Sequence, residues 1–328
     1  NPSSNTIITG DEKTALLPKM FRPLKNEIKL QAFNSYASVG EKSWIVTDSG
    51  CILDSSNSGV SWNIQCYQLE NTRLLFKVKF SKIIMTSSED GAIIGNSGLL
   101  LLTNNGGKSW IPAYNENLKG DLIDIISAKK DHLIIIGDKF SAFASDDGGE
   151  TWNRSESVYL HAGKDKANLT SIRKFDNNIW ITGNYGTLLL SKDNGESWIK
   201  QTPGVTPHEY RDIYFTNSKT GILIGEQVYI RYTNDGGNSW KGVGDLTTEN
   251  LNRIFYDNIG SNLYVAGDEF TILKNDNSEL NSFSQIQKSP LAQSLLYAFG
   301  SLILPFIFIG IIFFIIYKTL PYTEVLNK

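Results

Sequence analysis

The chain has 328 residues, 41% hydrophobic and 20% charged, with a formal net charge of −3. It is long enough for a large core, and it lacks the basic footprint that a sequence-independent grip on nucleic acid requires. Its three histidines, His132, His161 and His208, are scattered without ligand spacing, and no phosphate-cradling glycine loop is present, so neither metal nor other cofactor is expected.

The chain begins at Asn1 rather than a methionine, as expected either of a processed form whose leader has been removed or of a trimmed sequence. Residues 1–27 are expected to be an extension that supplies a ring-closing strand or part of a further blade. From about residue 28 to 290 a four-part unit recurs. Its first apolar run reads Leu74–Phe80, Asp121–Ile126 and Tyr210–Phe215 in three copies. A second run ends in glycine: Ala92–Gly95, Leu133–Gly137, Ile179–Gly183, Ile222–Gly225 and Leu263–Gly267. A third run follows, at Leu99–Leu102, Ser141–Ala144, Thr187–Leu190 and Val228–Tyr232, and a fourth starts at a tryptophan. Short β-branched and aromatic runs punctuated by Gly, Asn and Asp are strands and hairpins.

Between the third and fourth runs lies Ser/Thr-x-Asp/Asn-x-Gly-x-Ser/Thr-Trp. Its five copies carry Asn57, Gly59 and Trp62; Asn105, Gly107 and Trp110; Asp147, Gly149 and Trp152; Asp193, Gly195 and Trp198; and Asp235, Gly237 and Trp240. The closing tryptophans lie 48, 42, 46 and 42 residues apart. A period in the forties with a turn in each unit marks a repeat architecture. An Asp or Asn in such a turn bonds neighbouring amides, glycine supplies a positive φ, and tryptophan buries a large apolar surface. The motif is therefore expected to fasten the fold rather than to catalyse or hold a metal. A sixth, degenerate copy reads Lys274-Asn275-Asp276-Asn277, with Asp276 in the place of Asp235. The fold class expected is all-β, a β-propeller of six four-stranded blades, with seven as the alternative and a stacked β-solenoid ranked lower.

The motif resembles the Asp-box, or BNR repeat, of sialidases and related propellers. The fuller unit is most similar to the Ycf48/HCF136-like family of photosystem II assembly and stability factors. That resemblance covers about residues 28–285. It implies a non-enzymatic helper of membrane protein complexes in the lumen or periplasm, with exporter accessory proteins among the relatives in non-photosynthetic bacteria. It is specific for fold and weak for function, because the same propeller hosts hydrolases and receptors.

Cys51 and Cys66 flank the first motif symmetrically. If Ser55 faces Trp62, the same antiparallel register sets the two cysteines opposite each other, close to disulfide range. A cross-strand disulfide, with two buried free thiols as the alternative, implies an oxidising compartment.

From Leu295 to Tyr317 run 23 residues without a charge, with Pro305 near the middle. At 1.5 Å per residue these reach about 34 Å, enough to cross a hydrocarbon core of about 30 Å. Residues 291–320 are therefore expected to form a transmembrane helix and 321–328 a short cytoplasmic tail. That arrangement leaves the propeller in the periplasm or lumen, on an inner or thylakoid membrane.

Little catalytic chemistry is visible. Phe21-Arg22-Pro23 lacks the isoleucine of the sialidase Arg-Ile-Pro motif. Arg211 and Arg253 on innermost strands, with Arg173 near the equivalent place, are candidates to grip an anionic partner, against a reading as ordinary solvated arginines. Two functions remain open. One is a membrane-anchored scaffold, assembly factor or accessory subunit for an integral membrane complex, either exporter or photosystem-like. The other is a cell-surface glycan-binding or sialidase-like propeller.

Overall fold

The computed structural model describes residues 21–23, 33–69, 78–162, 167–204, 208–227, 229–244, 247, 249–257, 262–268, 271–276 and 278–285. The expected span through Leu295, Pro305 and Tyr317 lies outside the described residues. Among those described, no helix is long and apolar enough to cross a membrane.

All six expected units form antiparallel sheets in sequential strand order. This is the blade set of a β-propeller. The described residues fall into two compact units, one ending at Leu122 and the other beginning at Ile123.

The first unit holds two sheets. Blade 1 comprises β1 (Phe21–Pro23), β2 (Phe33–Val39), β3 (Lys42–Thr47), β4 (Cys51–Ser55) and β5 (Asn63–Leu69) in the order β1-β5-β4-β3-β2. The N-terminal extension thus supplies a fifth strand to the outer edge of blade 1. Blade 2 comprises β6 (Phe80–Met85), β7 (Asp90–Gly95), β8 (Leu100–Asn104) and β9 (Ile111–Pro112). Its first strand differs from expectation. Of the expected run Leu74–Phe80, Leu74–Lys77 lie outside the described residues, Val78 and Lys79 precede the strand, and the pairing begins at Phe80↔Gly95. Trp44, Val46, Phe80, Ile93, Leu101 and Trp110 form this unit's main core.

The second unit holds four sheets. Blade 3 is β10 (Leu122–Lys129), β11 (His132–Gly137), β12 (Ala142–Ser145) and β13 (Asn153–Arg154), followed by helix α1 (Glu156–Ala162). Blade 4 is β14 (Leu169–Phe175), β15 (Asn178–Gly183), β16 (Leu188–Ser191) and β17 (Ile199–Lys200). Blade 5 is β18 (Tyr210–Phe215), β19 (Gly221–Gly225), β20 (Ile230–Thr233) and β21 (Lys241–Gly242). Blade 6 is β22 (Leu251–Asp257), β23 (Asn262–Gly267), β24 (Ile272–Asn275) and β25 (Phe283–Gln285). The degenerate sixth copy therefore still folds as a full four-stranded blade.

Position in the blade explains the composition of each strand. The second strands β11 and β19 are buried throughout, so they read as unbroken apolar runs. The outer strands β9, β13, β17 and β21 are two residues long and carry Pro112, Arg154, Lys200 and Lys241. Short, charged or proline-bearing edges resist pairing with other chains.

In blades 2, 4, 5 and 6 the glycine that ends the second strand answers a close approach. A Cβ at Gly225 would lie 2.3 Å from the Glu209 carbonyl oxygen, and at Gly267 2.3 Å from that of Asn250. The same carbonyls accept the next residue's amide, from Glu226 at 3.0 Å and Asp268 at 2.9 Å, so the chain entering the inner strand presses directly on the glycine.

Candidate functional site

Each Asp-box closes on itself. In the fourth, Ser191 Oγ donates to Asp193 Oδ1 (2.7 Å) and accepts from Gly195 N (2.7 Å). Asp193 accepts from Ser197 N (2.9 Å) and Ser197 Oγ (2.5 Å), and Trp198 Nε1 donates to the Gly195 carbonyl (3.0 Å). The third and fifth boxes repeat these bonds. Slight burial pushes the Asp147 and Asp193 carboxyls up, but hydrogen bonds from Thr151 and Ser197 outweigh it and hold both at about 2. The Ser239 hydroxyl and amide hold Asp235 there as well.

In the first two boxes an amide replaces the carboxylate. Asn57 Nδ2 donates to Ser61 Oγ (2.8 Å) and Asn105 Nδ2 to Ser109 Oγ (2.7 Å), so the turn survives without charge. Trp110 departs from the pattern in one respect. Its buried Nε1 has no partner, whereas Trp62, Trp152, Trp198 and Trp240 all donate to the box glycine.

The box glycines do more than turn. Gly107, at φ +74°, would place a Cβ 2.3 Å from Trp44 Nε1 of blade 1. At Gly195 a Cβ would meet Ile134 of blade 3 at 2.2 Å, and at Gly237 it would meet Trp180 of blade 4 at 2.6 Å. The second, fourth and fifth boxes thus sit against the second strand of the preceding blade and fasten two blades together. In blade 6, Asn275 rather than Asp276 takes a box position. Tyr264 pairs with Lys274, which sets Asn275 opposite Leu263 where Ser191 stands opposite Ile179. Asn275 Oδ1 accepts the Leu263 amide. Asp276 therefore falls one residue short of the box Asp, because spacing alone cannot fix register.

The three candidate arginines are divided between two settings. Arg173 on β14 grips Asp212 on β18 in a fork, with Nε to Oδ1 and Nη2 to Oδ2 both at 2.9 Å. Asp212 is fully buried and also accepts from Ser171 Oγ (2.9 Å), Ile213 N (3.0 Å) and Ile254 N (3.1 Å). Burial alone would raise its carboxyl. The Arg173 guanidinium, with help from Arg253 and the Ile254 amide, holds it below the usual carboxylate range. Arg253 is exposed on β22 and shares this setting.

Arg211 stands apart, ion-paired to Glu226 and, at 3.6 Å, to Glu209; hydrogen bonds from Asn250 and Asn252, with a smaller contribution from the Arg211 charge, lower the Asp268 carboxyl. The reason is a bulge between Tyr210 and Asp212, which sets Arg211 out of the pairing register.

One blade back the same device recurs. Asp124 Oδ2 accepts the Ile172 amide at 3.3 Å and lies 3.4 Å from Ser171 Oγ. Inner-strand carboxylates thus tie β10 to β14 and β18 to both β14 and β22. Asp124, Ser171 and Asp212 were missed as candidates. The visible signal was a carboxylate inside the apolar runs Leu122–Ile126 and Tyr210–Phe215, where nothing but a buried partner would tolerate it.

A carboxylate with five donors and no exposure cannot reach a substrate, so this network binds strands rather than moving protons. Among the described residues, no cluster of His, Cys, Asp or Glu has the arrangement to hold a metal ion. Cys51 and Cys66 face each other across β4 and β5 and are joined by a disulfide, with Cα atoms 3.9 Å apart.

A family model described as "Photosynthesis system II assembly factor YCF48" matches residues 27–121 and 113–206, more than half of the chain. The chain belongs to the Ycf48 family. The photosystem II assembly lipoprotein Ycf48 of Synechococcus sp. (strain CC9902) is 23% identical over 246 residues, covering 72% of this chain and 68% of the relative. That of strain CC9605 is 25% identical over 199 residues, covering 58% of this chain and 57% of the relative. Among solved structures, YCF48 bound to D1 peptide superposes with a TM-score of 0.57 at 18% identity, covering 76% of this chain and 81% of that one. An ancestral GH74 enzyme reaches 0.58 at 15% identity, covering 82% of this chain but 40% of its own. At such identities these structures speak for the fold alone.

Proposed function

We propose that the chain is a non-catalytic, membrane-anchored docking factor that serves the assembly or upkeep of an integral membrane protein complex. Its membership of the Ycf48 family carries this reading. A solved family member holds a D1 peptide, and the partner proposed here is by analogy a segment of a photosystem-like complex. An exporter is the other complex of this type. The uncharged run Leu295–Tyr317 supports a single-pass anchor, and Lys318 and Lys328 in the tail favour a cytoplasmic C-terminus. The Cys51–Cys66 disulfide supports placing the blades in the periplasm or lumen. Tethering raises the local concentration of blades and partner without any new contact.

The glycan-cleaving alternative loses its basis in the arginines. A three-arginine grip needs convergent free donors, whereas Arg173 is forked onto Asp212 and Arg211 is ion-paired with Glu226. Purification of the full chain in gentle detergent, followed by mass spectrometry, tests the proposal. Membrane-complex subunits are expected at stoichiometric yield. A chain that always runs alone as a monomer, or that turns over a fluorogenic sialoside, overturns it.

A further inference from the structure

Blade 1 is built differently from the other five at its outer edge. Its outer strand β5 runs for seven residues, where β9, β13, β17 and β21 run for two and β25 for three. The extra length has a defined use. β4 pairs with β5 from Asp54↔Asn63 to Cys51↔Cys66, with one further bond from Tyr67 N to the Gly50 carbonyl (2.8 Å). Beyond that point β5 leaves β4 and pairs instead with β1: Pro23↔Tyr67, Arg22↔Gln68 and Phe21↔Leu69.

The disulfide sits at this fork. It is a covalent cross-strand tie one residue before Tyr67, where the N-terminal strand begins to pair. The fork is tightly packed. A Cβ at Gly50 would lie within 3.0 Å of Val78 and of the Tyr67 carbonyl. Tyr67 is buried, with its ring edge-on to Phe80 at a centroid distance of 6.2 Å. By contrast, β1 pairs with β5 through three residues. Two short strands pairing alone are marginal in water.

We propose that Cys51–Cys66 is a redox clamp holding the N-terminal strand on blade 1, and that its reduction releases β1 and frays β5 while the remaining blades stay folded. The reductant is a dithiol. One of its thiolates attacks a cysteine sulfur, the Cys51–Cys66 bond breaks, and its second thiol resolves the mixed disulfide. The two cysteines gain two electrons and two protons, and the dithiol is oxidised to its own disulfide. Both cysteines are 2% exposed, so exchange requires the fork to open locally first. In the oxidised state the clamp keeps β1 on the outer edge of blade 1. This inference stands independently of the docking reading above.

Amide hydrogen exchange on the full chain in detergent, with and without a dithiol, tests it, with thiol alkylation to confirm reduction. Amides of Arg22 and residues 67–69 are expected to exchange at least about tenfold faster after reduction. Those of β11 and β15 should not change. The double variant Cys51→Ser/Cys66→Ser should reproduce the reduced pattern, and the dithiol arm reads the same outcome should that variant fail to fold. A bond that resists the dithiol under native conditions overturns the proposal. So does confirmed reduction without faster exchange at those positions, or a rise spread over all blades, which would mark an ordinary staple of the whole fold.

Discussion

The Asp-box turns and the inner-strand network solve the same problem, joining one blade to the next, at opposite scales. A box satisfies its polar groups with partners two to four residues away, as Ser191, Asp193 and Ser197 do. It meets the neighbouring blade through its glycine and its tryptophan, as Gly195 meets Ile134 and Trp240 sits edge-on to Trp180. The inner strands do the reverse. Asp212 draws donors from residues 39 to 42 positions away, Arg173, Ser171 and Ile254, and takes only Ile213 locally. A local device can be copied into every unit. A non-local one needs particular residues on several strands at once, so it is confined to a few blades.

The first way to break this comparison is at Asp212, where the largest effect is expected. Asp212→Ala strips a fully buried carboxylate and leaves the Arg173 guanidinium without its forked partner. Removing one member of a buried pair costs about 3–5 kcal/mol. Urea denaturation followed by tryptophan fluorescence should show the midpoint fall accordingly. The carboxyl is held below its unfolded value of about 3.9, so its contribution is complete above that value and fades as pH falls through it toward the folded value. Asp212→Asn should therefore flatten the acid limb of the stability–pH profile, and an unchanged limb would count against the network.

The next effect belongs to the glycines and separates the two demands on a box. Gly107 and Gly148 share a positive φ, +74° and +75°, but a Cβ at Gly107 meets Trp44 Nε1 at 2.3 Å while one at Gly148 meets nothing within 4 Å. Gly148→Ala carries the left-handed cost alone, about 1 kcal/mol. Gly107→Ala adds displacement of a buried tryptophan, and about 3 kcal/mol is expected in total. Thermal unfolding of the two variants side by side checks this. Equal losses would mean that the box is a turn and not a fastener.

The same contrast of scale governs what could be read from the sequence. The six blades were legible because turn chemistry and strand alternation are local and recur. The cysteine pairing followed from hairpin symmetry for the same reason. The start of β6 was misplaced because Leu74–Phe80 is as apolar as the true strand Phe80–Met85, and only pairing decides between them. Asp276 was set on the period of Asp235, yet Asn275 fills the Ser/Thr position once β23 and β24 are aligned. The arginines were seen but not their partners. Arg173 and Asp212 are 39 residues apart, and no spacing rule links a side chain on one inner strand to a carboxylate on the next.

A smaller effect sharpens the local side. Asp193 is pulled to about 2 by its hydrogen bonds, but it lies at the surface, so solvent discounts what that shift is worth. Asn57 and Asn105 already perform the role with an amide. Asp193→Asn is therefore expected to change stability by less than about 0.5 kcal/mol, whereas Asp193→Ala, which orphans the Ser197 and Ser191 donors, should cost about 1 kcal/mol. The depressed carboxyl gives the native chain a small stability advantage that is lost as pH falls from about 4 toward 2. Acid titration of native and Asp193→Asn chains reads that difference directly.

The smallest effect on stability is expected at Arg253, and it tests which side of the comparison faces a partner. Arg253 stands on the inner strand beside the Asp212 network but is exposed, so Arg253→Ala should shift the denaturation midpoint by no more than a surface change does, within about 0.5 kcal/mol. Its guanidinium is nevertheless suited to an anionic group carried by a docking segment, because Asp212 takes its forked hydrogen bonds from Arg173. Arg211 supplies the control. Its charge is met by Glu226 and Glu209, so Arg211→Ala should leave capture unchanged or nearly so. Detergent pull-down of the membrane partner should therefore drop several-fold for Arg253→Ala and hold for Arg211→Ala at equal fold stability. The opposite ranking would move the docking surface from the inner strands to the loops around Glu209 and Glu226.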